Sequence, residues 1–142
     1  MKRFLLLFVC LVTFSVASFA DDGRPVSFNQ LPVKAQTFVK HNFRYADVQR
    51  VVRDDDEFEV VLKGGVKIEF AKNGHWTEIE AKRKGVPARI IPERIKTYVH
   101  KCYGAHVRVM EISREDHEME VKLSNGKELK FDRNSRTVEV DD

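Results

Sequence analysis

Cysteine is almost missing from this chain: Cys10 and Cys102 are the only two in 142 residues. Cys10 sits inside an apolar N-terminal run, so beyond that run Cys102 stands alone. No intramolecular disulfide is then possible, and stability must come from a packed core. Proline and glycine are also sparse, at four and seven, which excludes collagen-like and low-complexity chains. Net charge is nearly absent. Lys+Arg total 25 against 22 Asp+Glu, and loss of Lys2 and Arg3 with the N-terminal segment leaves about +1. That balance offers no electrostatic footprint for nucleic acid, and no nucleic-acid partner is expected. After residue 20 no segment is apolar enough to span a bilayer, so no stable membrane insertion is expected once that segment is removed. Catalytic signatures are lacking too. There is no His-Glu-x-x-His pair, nucleophile elbow, phosphate loop or dinucleotide fingerprint. The expectation is a protein that is not an enzyme, with no catalytic residues, no cofactor and no metal ligands.

What is present begins with an address. Met1-Lys2-Arg3 is a short positive segment, Phe4 to Val16 is nearly unbroken apolar sequence, and Ala17-Ser18-Phe19-Ala20 carries small residues where a signal peptidase reads. This is the three-part secretory signal. Residues 1–20 are read as a signal peptide cleaved after Ala20, and the mature chain is periplasmic or secreted. Removing about twenty residues leaves about 122, enough for one domain.

The mature part repeats itself. Leu31-Pro32 recurs as Ile91-Pro92, Phe38-Val39 as Tyr98-Val99, and Phe43 as Tyr103, all at an offset of sixty. Further on the offset is sixty-one: Phe58-Glu59-Val60-x-Leu62 matches Met119-Glu120-Val121-x-Leu123. Gly65, Ile68, Phe70 and Ile79 match Gly126, Leu129, Phe131 and Val140. Each copy opens with a helix whose first turn tolerates Pro32 or Pro92. Ile95, Tyr98, Val99 and Cys102 fall on one helical stripe, which turns Cys102 toward the core. Strands with period-two alternation follow, near 48–53, 58–63, 66–71 and 75–81, and again near 107–113, 118–123, 127–132 and 136–140. Gly64-Gly65 and Asn125-Gly126 read as tight hairpins with positive φ at both turn positions. The predicted fold is α+β: two α-β4 repeats, about 28–81 and 87–140, within a single domain spanning 21–142. They share one antiparallel sheet of about eight strands, with both helices on one face and the other face open.

The repeated aromatic-Glu-Val-x-Leu-x-x-Gly-x-x-Ile-x-Phe pattern, followed by Asn-Gly-x-Trp-x-x-Ile and joined to the paired Leu-Pro and Ile-Pro helix starts, resembles the PepSY-like, β-lactamase-inhibitor-like family of exported bacterial proteins of the Bacteroidetes type. The resemblance covers residues 28–140. It implies a fold like that of β-lactamase inhibitory protein, with two α-β4 units in a curved sheet, and carries no specific activity with it. The second copy departs from the pattern, with Ser135-Arg136-Thr137 where the first has Gly74-His75-Trp76.

The candidate site is the open face of the first copy. If Ile79 points inward, period two places Trp76, Glu78 and Glu80 outward, with Val61 and Glu59 beside them. A large aromatic among charges is the make-up of a binding hot spot. The mixed charges of this face are expected to form opposite-charge pairs across strands, with ordinary solvated carboxylates. Asp54-Asp55-Asp56-Glu57 lacks the glycine and distal glutamate of a calcium loop and reads as a turn. Lys82-Arg83-Lys84 reads as a solvated linker. Two functions are carried forward. One is a non-enzymatic exported module that binds an unidentified protein of the envelope or medium, as an inhibitor would. The other is a periplasmic carrier of a small ligand or metal.

Overall fold

The computed structural model describes residues 23–132 and 137–141; the expected signal peptide lies outside them. Two helices, α1 (Val33–Asn42) and α2 (Glu93–Tyr103), accompany nine strands: β1 (Arg24–Val26), β2 (Val48–Asp54), β3 (Glu57–Leu62), β4 (Val66–Phe70), β5 (Trp76–Ala81), β6 (Val109–Glu115), β7 (Glu118–Leu123), β8 (Glu128–Asp132) and β9 (Thr137–Asp141). They form one antiparallel sheet in sequence order. Eight of the strands are the predicted ones. The ninth, β1, is a three-residue edge strand that pairs with β2, too short for a periodicity to show. It stands to α1 and β2 as β5 stands to α2 and β6, since each helix bridges two neighbouring antiparallel strands.

The helices begin where proline places them, with Pro32 and Pro92 as N-caps at φ −55°. α2 ends at Gly104, whose φ of 93° lets the chain leave the helix while its N–H donates to the His100 carbonyl at 3.0 Å. Ala35 and Val39 of α1, and Ile95 and Val99 of α2, are buried against the sheet. The predicted stripe ends short of Cys102, which is exposed. It lies in the final turn, beyond the last buried position of the helix.

The sheet contributes an unbroken apolar row. Val51, Val60, Ile68, Ile79, Ile112, Val121 and Leu129 are successive cross-strand partners from β2 to β8, and all are buried. Each such side chain contributes about 1.5–3 kcal/mol of burial. The two copies anchor their helices identically. Phe38 meets Phe70 edge to face at 5.9 Å, and Tyr98 meets Phe131 edge to face at 5.7 Å.

Two turn details differ from expectation. The Leu123–Lys127 hairpin has a three-residue loop in which Gly126 alone has positive φ (90°); a turn of this kind needs only one left-handed residue. At the tip between β2 and β3, Asp55 takes φ 56°, and the Asp55 carbonyl accepts a bond from Arg53 Nε at 3.0 Å.

The largest correction concerns Trp76. Between β4 and β5 the register shifts: Glu69 faces Glu78, but Phe70 faces Trp76. Thr77 is the extra residue, so a β-bulge reverses the alternation at this point. Trp76 therefore turns to the helix side. It is 6% exposed, 6.4 Å from the Phe38 ring, and covered by the Arg114 guanidinium at 3.9 Å from its centroid. Arg114 Nε also donates to the Trp76 carbonyl at 2.8 Å. A contact with such burial is structural. Trp76→Ala is expected to cost about 3–5 kcal/mol, read as a lower urea midpoint at unchanged slope. A loss below about 1 kcal/mol would contradict this placement.

Candidate functional site

The face away from the helices carries two rows of side chains that follow from the same register. In one row Val52, Glu59, Glu69, Glu78, Ser113, Glu120 and Lys130 are successive partners. In the other the order is Arg50, Val61, Lys67, Glu80, Glu111, Lys122 and Glu128. Val61, Glu59, Glu78 and Glu80 thus lie on the open face as expected, within one neighbourhood. Trp76 does not join them; it supports β5 from the opposite side.

The expected opposite-charge pairing is only half realised. Lys67 lies 3.5 Å from Glu59 and 3.8 Å from Glu80, and Lys82 is 3.7 Å from Glu80. In the second copy Lys130 is buried on this face and reaches Glu118 at 3.2 Å. But Glu59, Glu69 and Glu78 are consecutive like charges on three adjacent strands, an arrangement that destabilises a sheet if all are ionised. Glu111 adds a fourth carboxyl from across the β5–β6 junction and is hydrogen-bonded to Glu78.

Three carboxyls of this face, Glu69, Glu78 and Glu120, hold their protons more tightly than a solvated glutamate does. Burial, the hydrogen bond to Glu111 and the charge of Glu69 push the Glu78 carboxyl up to about 9. Burial raises Glu69 as well, with Lys67 opposing and Glu59, Glu57 and Glu80 reinforcing. Glu120 is pushed up to about 7, by burial first and then by Glu115. Burial pulls the Lys67 ammonium down, but Glu59, Glu80 and Glu69 together outweigh it and hold it above its ordinary value. The expectation of ordinary solvated carboxylates is therefore corrected. These side chains crowd one another in a groove and are half-buried, which removes water from the charged form.

The groove has a volume of about 570 Å³ and is lined chiefly by carboxyls, among them Glu69, Glu78, Glu111 and Glu120, with Lys122 on the same face and Arg114 at its border, its guanidinium over Trp76. Its centre lies over the junction of β5 and β6, where the two repeats meet. This junction was not foreseen as the centre of the site, because period two assigns faces but not the order of strands from different repeats. Among the described residues no group of three or more His, Cys, Asp or Glu side chains is arranged to hold a metal ion. Asp54 to Glu57 forms the tip of the β2–β3 hairpin.

The surroundings in known proteins are consistent. Residues 20–67 and 56–138 match the sequence model of a family described as "Putative beta-lactamase-inhibitor-like, PepSY-like". No curated protein matches the chain. A solved structure from Bacteroides vulgatus, described as a "putative periplasmic protein" of the DUF2874 family, is 39% identical with a TM-score of 0.80, covering 87% of this chain and 99% of that one. One from Bacteroides thetaiotaomicron, described as a "putative calcium-regulated periplasmic protein", is 37% identical with the same score and coverage. A third, again from Bacteroides vulgatus and described as a periplasmic protein of unknown function, is 28% identical with a TM-score of 0.78, covering 84% of this chain and 99% of that one. No helix among the described residues is long and apolar enough to cross a membrane. The periplasmic descriptions agree with the export expected from the N-terminal segment.

The raised carboxyls make stability depend on pH with a definite sign. Glu78 titrates near 4.5 when unfolded and near 9 when folded. The folded chain therefore binds more protons across that window, and stability present below 4.5 is lost as pH rises toward 9. The melting temperature is expected to fall between pH 5 and pH 9, and Glu78→Gln is expected to flatten that fall. Parallel curves for the two proteins would show that Glu78 carries no shared proton.

Proposed function

The chain belongs to the PepSY-like family, and from that premise we propose that it is an exported, non-enzymatic binding module that holds a protein partner on its open sheet face. One observation carries this reading: the face is a carboxyl-lined groove, and no helix of the described residues packs over it. Most sheets that leave a face bare make it polar and solvated. This one instead confines carboxyls, and burial and their neighbours' charges raise the proton affinity of Glu69, Glu78 and Glu120, an arrangement that a complementary cation relieves.

The partner surface is accordingly basic. A lysine or arginine entering the groove replaces the proton between Glu78 and Glu111 and pairs with Glu69 or Glu120; Glu59 and Glu80 flank the groove on the same face, held by Lys67. Val61, half-buried between Arg50 and Lys67 in the register, supplies the apolar contact beside them. Complementary charge of this kind sets specificity and association rate more than raw affinity. An inhibitor of an envelope or secreted enzyme is the form that the family description favours, by analogy of fold. The carrier reading has one point in its favour, that a 37% identical neighbour is described as calcium-regulated, and it is tested alongside.

The test is capture from envelope and secreted fractions on immobilised residues 21–142, followed by titration of the purified partner. Glu111→Lys with Glu120→Lys, both in the lining of the groove, is expected to weaken binding at least about tenfold, with wild-type affinity falling as salt rises. A partner held equally by wild type and the double variant would move the site off this face. In a parallel melt, a rise of several degrees with calcium that is lost in Glu59→Gln/Glu78→Gln would favour the carrier reading instead.

A further inference from the structure

The internal repeat provides a standard against which each copy can be compared, and the copies differ beside the helices. In the first copy Phe28 and Tyr45, from the short turns flanking α1, meet edge to face at 5.0 Å. The Lys40 ammonium lies 5.7 Å and 5.8 Å from their two ring centroids. Phe28 is buried at 8% exposure and closes the end of the core beside α1, with Tyr45, 56% exposed, against its outer side. Sixty residues on, Phe28 and Lys40 become Ala88 and His100, and Tyr45, which lies where the offset passes to sixty-one, is answered by Ala105 and His106. The rings are gone, and a groove of about 430 Å³ borders Ala88, His100 and Ala105.

Its floor is apolar. Val86, Ile91, Val99 and Val109 are all buried residues of the core cluster and all border the groove. Its rim is basic, formed by Lys84, Lys96, His100 and Arg108. Lys96 is engaged by Glu93 at 3.2 Å, whereas Lys84 and Arg108 make no ion pair among the described residues. The groove shares no residue with the carboxyl-lined one on the open face, and its volume falls in the range of about 300–1,000 Å³ usual for small-molecule sites.

We propose that this groove is a binding site for a small aromatic carboxylate. The ring takes the place that Phe28 and Tyr45 fill in the first copy, resting on Ile91, Val99 and Val109. The carboxylate meets Lys84 and Arg108 at the rim, where charge-assisted bonds fix its orientation. The first copy shows that this position in the fold accepts aromatic rings under a cation, because it contains them covalently. The second copy keeps the apolar floor and the cations and omits the rings. The inference does not depend on the open face binding anything.

The probe is 3-phenylpropionate, titrated into residues 21–142 and followed through backbone amide NMR shifts. Saturable shifts are expected at Val86, Ala105 and Val109, with a dissociation constant of about a millimolar for so small a ligand. The neutral 3-phenylpropionamide and the saturated cyclohexanepropionate are each expected to bind several-fold more weakly. Lys84→Glu/Arg108→Glu, which changes only exposed side chains, is expected to weaken binding at least about tenfold. Ala88→Phe/Ala105→Tyr rebuilds the pair of the first copy and is expected to abolish the shifts while raising the melting temperature. Absence of shifts at about ten times the expected constant would overturn the proposal, as would equal binding by the amide or an unchanged titration in the charge-reversed variant.

Discussion

Three cross-strand pairs, Glu78 with Ser113, Ile79 with Ile112 and Glu80 with Glu111, join what would otherwise be two marginal halves. Each repeat has one helix and a four-strand meander, about sixty residues, and a unit of that size buries too little surface to be secure alone. Through the β5–β6 ladder the apolar row of one copy runs into that of the other without a break, and a single cluster of buried residues extends from Phe28 to Phe131. The connection that makes this possible is α2, which returns the chain from β5 to the adjacent strand as α1 does between β1 and β2. With no disulfide to close a loop, the continuity of this row is what holds the domain.

The same ladder creates the stress on the other face. Adjacent strands in register must bring equivalent positions together, and the inward row is satisfied because every copy offers Val, Ile or Leu. The outward rows receive whatever the two repeats carry, and at the junction that is carboxyl against carboxyl. Cross-strand repulsion there is relieved by protonation instead of by substitution with lysine, which occurs only a few positions away at Lys67 and Lys122. A sequence selected for stability alone would have charge pairs along the whole row. Local conflict in an otherwise consistent fold is what functional sites commonly show, and it is on this that the proposed binding face rests.

Much of this fold can be read from the sequence because it is written twice. The offset of sixty, then sixty-one, finds the start of each helix at its proline and places the eight principal strands within two residues of their observed bounds, since a pattern that recurs in order is far stronger than any one segment. What escapes are features that periodicity does not encode. The bulge at Thr77 adds one residue to β5, and that single residue moves Trp76 from the open face to the core; Ile79, two residues beyond, gives no sign of it. β1 has only three residues and therefore no alternation to detect. The raised carboxyls depend on which strands become neighbours, a property of the sheet and not of any strand. Glu69 and Glu78 look like ordinary solvated residues until β4 and β5 are placed side by side.

Where two copies of one unit share a core, the positions at which they agree and disagree carry different information. Agreement marks what the sheet and helices require: Phe38 with Tyr98, Phe70 with Phe131, Ile79 with Val140. Disagreement at an exposed loop means little, because such positions tolerate change. Disagreement at a position that is buried in one copy is another matter, since deletion of a buried ring leaves apolar surface in water at a cost of about 25 cal/mol for each Å². Phe28 and Ala88 differ in this way: Val86 and Ile91 border a groove beside Ala88, although each is itself only 7% exposed. A core edge that carries a ring in one copy and borders a groove in the other is most simply understood as a place for something the chain does not itself supply.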